Sequence, residues 1–239
     1  MGRAFEFRKE RKMKRWAGMA KTFTRIGREI SLAVKAGGPN AEYNSRLRLA
    51  IQNAKQANMP KANVESAIKK ASGKEADNFQ EVLYEGIGPH GIAIMVETAT
   101  DNPTRTVANV RMYFDRAGGA LGTSGSQSFQ FVRKGVFKAK AEGQSWDDLE
   151  LELIDAGLDE LRREEDEMVI FCNFTDFGAM QKALEDRNIE VLSAQLEWIP
   201  NMSKKLDDAA VEQVIKLIDR LEEDDDVLNV FHSMDMSDE

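Results

Sequence analysis

VFKAKAEGQSWDDLELELIDAGLDELRREEDEMVIFCNFTDFGAMQKALEDRNIEVLSAQLEW, residues 136–198, decides the fold of this chain. Short apolar or alternating runs read as strands, and apolar residues three and four apart read as helices. On that basis the stretch holds a strand at 136–139, a helix at 146–156, a strand near 158–162 and a strand at 168–174. A helix over 177–187 and a strand over 189–198 complete it. The order β-α-β-β-α-β is that of a ferredoxin-like split βαβ unit.

On the N-terminal side lies a second, incomplete cycle. Residues 82–86 and 92–99 read as a hairpin around Gly88-Pro89-His90-Gly91. Asn102 and Pro103 read as the N-cap and first turn of a helix that buries Val107, Val110 and Phe114, with Gly118-Gly119 closing it. A strand follows at 129–132. This cycle lacks a last helix and strand, and residues 209–221 and 227–232 supply them from the far end of the chain. The expected organisation is therefore a discontinuous α+β domain, 75–133 plus 203–239, interrupted by an inserted ferredoxin-like α+β domain at 134–202. The alternative is three consecutive domains with an orphan C-terminal helix.

Residues 1–74 differ in composition and in charge. They hold 18 Lys and Arg against 5 Asp and Glu, whereas the rest of the chain holds 15 against 36. The net charge of −8 thus hides a strongly basic N-terminal third. Helices are expected over 22–36, 44–58 and from Pro60 to Gly73, each with a narrow stripe of small apolar residues. The fold class expected for the whole chain is α+β, with an N-terminal three-helix domain followed by two ferredoxin-like α+β domains, one inserted into the other.

Like charges repel, so a cluster of this size argues for a polyanionic partner, and phosphate backbones are the commonest one. The residues expected to meet nucleic acid are Arg8, Lys9, Arg11, Lys12, Lys14, Arg15, Trp16, Lys21, Arg25, Arg28, Arg46, Arg48, Lys55, Lys61, Lys69 and Lys70. Trp16 either stacks on an unpaired base or anchors its segment to the bundle. A solvated basic face, or one neutralised by the acidic body, is the competing reading.

Nothing in the sequence assembles a catalytic centre. Gly86-Ile87-Gly88-Pro89-His90-Gly91 fits G-x-G-x-x-G, but a strand follows it where a dinucleotide fingerprint needs a helix, so it reads as a hairpin turn. His90 and His232 have no partners at metal-ligand spacing, and Cys172 sits in an apolar strand as an inert thiol. No catalytic residue, metal or cofactor is expected. The acidic runs at 164–167 and 222–226 read as solvated turns, although the second sits at a helix C-terminus, where negative charge is unfavourable and a basic partner is an alternative. The Gly/Ser-rich stretch 118–128 reads as a loop whose N–H groups can meet phosphate. A single cysteine, no apolar run of membrane-spanning length and no secretory signal suit a cytoplasmic protein.

LRLAIQNAKQANMPKANVESAIKKASG (47–73), YEGIGPHGIAIMVETATDNPTRTVANVR (84–111) and the stretch 118–137 ending in Lys-Gly-Val-Phe resemble the YebC/PmpR family, whose relatives include a mitochondrial translational activator of cytochrome c oxidase. The resemblance extends over nearly the whole chain. It implies a helical domain and two α+β domains, one inserted in the other, and no catalysis. It implies a DNA-binding transcriptional regulator, possible as a homodimer, or a translation factor on the ribosome that binds rRNA or tRNA. Typical members open with Gly-His-Ser-Lys-Trp; this chain opens MGRAFEFRKERKMKRW, keeping a Lys-Arg-Trp but not that His and Ser. A protein-interaction or small-molecule-sensing module is a further alternative, by analogy of fold alone.

Overall fold

The computed structural model describes residues 19–73, 76–140, 145–164 and 167–236. The helical unit consists of α1 (Met19–Gly37), α2 (Ser45–Gln56) and α3 (Lys61–Ser72). Ile26, Ile30, Ala33 and Val34 of α1 pack on Leu47, Ala50 and Ala54 of α2 and on Val64 of α3. Small residues at these contacts let the helices approach closely. Asn44 locks the α1–α2 corner. Its Oδ1 accepts from Leu47 N at 3.0 Å, capping α2, while its Nδ2 donates to the Ala33 and Gly38 carbonyls at the end of α1.

Two four-stranded antiparallel sheets follow. The first runs in the order β3-β1-β2-β8, from β1 (Gln80–Ile87), β2 (Ala93–Thr100), β3 (Ala120–Leu121) and β8 (Val227–His232). β1 and β2 form the expected hairpin, and its turn contains His90 at φ 60° and Gly91 at φ 75°. Asn102 caps α4 (Pro103–Arg116) by accepting from Arg105 N. α4 and α7 (Asp208–Glu222) cover one face of this sheet, burying Phe114, Val214, Ile218 and Leu221 against Ile92, Ile94 and Val96.

The second sheet runs β5-β6-β4-β7, from β4 (Phe131–Lys140), β5 (Leu158–Glu164), β6 (Glu167–Asn173) and β7 (Val191–Pro200). Helices α5 (Trp146–Ile154) and α6 (Phe177–Asp186) bury Leu149, Leu153, Met180 and Leu184 against Phe137, Met168 and Ile170. The first sheet thus joins strands from both sides of the segment that builds the second.

Two expectations need correction. The strands expected at 129–132 and 136–139 are one strand, β4, so the boundary expected between residues 133 and 134 falls inside it. Gly135, inside β4, permits a close approach: a Cβ there would lie 2.6 Å from both Cys172 Sγ and the Phe177 ring. β3, only two residues long, lies in the stretch expected to be loop.

The helical unit docks on both sheets. Leu32 of α1 packs with Ala99, Leu228 and Phe79 on the face of the first sheet opposite α4 and α7. On the second, Gln52 and Gln56 of α2 donate to the Val191 carbonyl and Asn53 donates to that of Ala194, which occupies the exposed edge of β7.

Candidate nucleic-acid interface

Seven of the residues expected to meet nucleic acid, Arg8, Lys9, Arg11, Lys12, Lys14, Arg15 and Trp16, lie outside the described residues. The other nine divide into two sets.

The first set holds the molecule together. Arg28 Nη1 donates to Asp226 Oδ1 and to the Ala99 carbonyl, both at 2.7 Å, and its guanidinium lies 4.9 Å from the Phe79 ring centre. Lys21 and Arg25 donate to the carbonyls of Glu223 and Glu222 at the C-terminus of α7. The last carbonyls of a helix need donors and attract cations, and α1 supplies both. Arg46 forms a two-point contact with Glu81 of β1. Arg28 and Arg25 are half-buried in these contacts, whereas Lys21 and the Arg46–Glu81 pair stay exposed at the surface.

The reading of the acidic run 222–226 is corrected in part. It is a turn in which Glu223 and Asp225 are exposed, as expected, but Asp226 is buried. The Asp226 side chain is 4% exposed and accepts from Arg28, from Arg105 at 2.8 Å and from Thr106 at 2.7 Å. Burial pushes its carboxyl up, but the bonds from Arg105, Thr106 and Arg28 outweigh that and hold it below the usual carboxylate range. Asp224 accepts from Asn109 and from the Tyr113 hydroxyl, which ties the same run to α4. Its basic partner is the chain's own first helix. The available signal was the unfavourable placement of five acidic residues at a helix C-terminus, set against a basic helix elsewhere in the chain.

The second set faces outward. Lys61 and Lys69 of α3 are exposed, as is Lys55 of α2. Lys61 meets only Glu65 one turn on, at 3.7 Å, and Lys70 pairs with Asp77 at 2.6 Å; both remain well exposed. Arg48 donates to the Ala41 and Glu42 carbonyls, bracing the loop before α2. α3 packs chiefly on α1, so its outer face is uncovered. Exposed pairs of this kind contribute little stability and exchange readily for a phosphate.

Three N–H groups of the Gly/Ser-rich loop are already taken by an anion of the chain itself. Those of Gly125, Gln127 and Ser128 donate to the buried Glu85 carboxylate at 2.7–2.9 Å, so the chain carries its own anion there. Burial pushes the Cys172 thiol up to about 11, in keeping with an inert core residue. Among the described residues no group of three or more His, Cys, Asp or Glu side chains can hold a metal, and no helix is long and apolar enough to cross a membrane.

Residues 3–74 match the family model described as the TACO1/YebC protein N-terminal domain, and 79–234 match that of the TACO1/YebC second and third domain. The chain is 57% identical over 234 residues to a probable transcriptional regulatory protein of Flavobacterium johnsoniae, covering 98% of this chain and 99% of the relative. One from Myxococcus xanthus is 51% identical over 239 residues, covering 98% and 100%. Among solved structures, the conserved hypothetical protein Aq1575 from Aquifex aeolicus superposes with a TM-score of 0.81 at 39% identity, covering 90% of each chain. With both parts of the chain matched and relatives aligned almost end to end, the chain belongs to the TACO1/YebC family.

Proposed function

We propose that this protein is a non-enzymatic, nucleic-acid-binding regulator of gene expression that acts on DNA in the cytoplasm; its relatives are named probable transcriptional regulatory proteins. The observation that carries the reading is the outward face of α2 and α3, where Lys55, Lys61, Lys69 and Lys70 stand exposed in a basic helical unit. Lysines spread over two helices grip successive phosphates, and each contact releases counterions. The acidic remainder of the chain repels nucleic acid and so favours approach from the helical side. The DNA reading includes a homodimer, because two-fold related helices match paired half-sites.

A second reading takes ribosomal RNA or tRNA as the polyanion. It is favoured by the lysine-dominated outer face, since phosphate contacts position a protein without reading sequence. Sedimentation of native protein from lysate separates the two. Migration as free protein, with retention on duplex DNA at the same salt, supports the DNA reading. DNase-resistant co-migration with ribosomal particles supports the RNA reading. Binding to neither nucleic acid at low salt contradicts both.

A further inference from the structure

Where the helical unit meets both sheets, it leaves a cleft of about 640 Å³. Its walls include Glu29 of α1, Asn53 of α2, Glu97 of β2 and the pair Arg133 and Trp198 from the second sheet. Two of its polar groups are buried and unmatched, and a half-buried carboxyl stands beside them. Asn53 Oδ1 and Arg133 Nε are buried without a hydrogen-bond partner. Glu29 makes no hydrogen bond or ion pair among the described residues. Buried polar groups left unpaired are costly, and such groups converging on one cavity mark it as a place for a bound molecule.

The unmatched set defines what fits. Because Asn53 Nδ2 is spent on the Ala194 carbonyl at 3.2 Å, its Oδ1 remains as an acceptor. Glu29 and Asn53 thus offer acceptors, beside the donors of the Arg133 guanidinium. Glu97 is already engaged, accepting from Trp198 Nε1 at 3.0 Å and Asn229 at 3.1 Å, and Glu81 is held by Arg46. Glu29, Glu81 and Glu97 outnumber Arg46 and Arg133, so an ionised Glu29 leaves the cleft negative. A phosphate or carboxylate ligand is repelled; a cation rich in donors is drawn in. The wall already accommodates one planar cation, the Arg133 guanidinium, 4.9 Å from the Phe174 ring centre and 5.7 Å from that of Trp198.

We propose that this cleft binds a small organic cation with a guanidinium head, whose planar fork pairs with the Glu29 carboxylate and whose remaining N–H reaches Asn53 Oδ1. Such a ligand touches α1, α2 and the second sheet together, and so ties the helical unit to the α+β body. The inference stands apart from the nucleic-acid reading above.

The carboxyl that receives the cation faces Arg25 on its own helix, Arg46 on α2, Glu81 on β1 and Glu97 on β2. Burial, the leading cause, pushes it up to about 7, so binding strengthens as pH rises through neutrality. Calorimetric titration of the full chain with agmatine, and with putrescine as the diamine lacking the guanidinium, tests the proposal. The expected result is saturable agmatine binding near pH 8, weakened about tenfold or more in Glu29→Gln and on moving to about pH 6. Asn53→Ser serves as a second variant and is expected to weaken binding as well. Absence of saturable binding, wild-type affinity in both variants, or equal binding of putrescine overturns it.

Discussion

Asp226 ends the run Glu222-Glu223-Asp224-Asp225-Asp226, yet its carboxylate is buried between Arg28 of α1 and Arg105 of α4. Breaking a buried pair strands the opposite charge, so Asp226→Ala is expected to cost about 3 kcal/mol or more in chemical denaturation. Because its carboxyl is held low, Asp226 supplies stability above the ordinary carboxylate pKa that is lost as pH falls below it. Acid unfolding of Asp226→Asn is expected to lack that component. Glu29 acts in the opposite sense. Raised from an ordinary value near 4.5 to about 7, it takes up a proton on folding, so stability falls as pH rises across that interval. Glu29→Gln is expected to flatten this slope and to melt above the wild type near pH 8; a parallel pH profile contradicts it. Asn44→Ala removes a cap and strands two carbonyls, with an expected loss of about 2 kcal/mol by denaturation. The Asn102 cap was legible in the sequence because Asn-Pro before a periodic apolar run is a local signal, whereas Asn44 reads only as the start of its helix. The role of Asp226 was not legible, since its partner Arg28 lies 198 positions away and no local pattern links them.

Elements were read where their periodicity is uninterrupted. The strand at Val227–His232 and the hairpin of β1 and β2 stand where the alternation puts them. β4 reads as two short strands, 129–132 and 136–139, because Arg133-Lys134-Gly135 interrupts the apolar run; in the structure the glycine makes room for the Phe177 ring, which stacks on Phe137 with centroids 4.7 Å apart. Gly135→Ala is therefore expected to lower stability by about 1–3 kcal/mol through overpacking rather than to alter the turns, and an unchanged melting temperature contradicts it. β3 escaped notice because two residues carry no period. α1 reads as an amphipathic helix with a basic outer side, but that side is partly covered. Lys21, Arg25 and Arg28 lie against the end of α7, and only packing between distant elements reveals it.

At the scale of the molecule, the split between a basic third and an acidic remainder was legible from composition alone. What composition conceals is that the two halves partly neutralise each other across the α1–α7 contact and the Arg46–Glu81 pair. Among the described residues, the exposed positive face is consequently smaller than the charge count suggests and lies mainly on α2 and α3. The cleft among the three units was not legible either, because its walls come from α1, α2 and both sheets, and unmatched groups such as Asn53 Oδ1 exist only once those are assembled. The account rests on α2 and α3 as the phosphate-gripping surface, and the salt dependence of binding tests it most directly. Affinity for duplex DNA and for ribosomal RNA is measured against rising salt for the wild type and for the variant with Lys55, Lys61, Lys69 and Lys70 changed to Gln. The account predicts weaker binding and a shallower slope for the variant, by up to about one unit for each lysine that contacts a phosphate. An unchanged affinity and slope would contradict it and remove α2 and α3 from the interface.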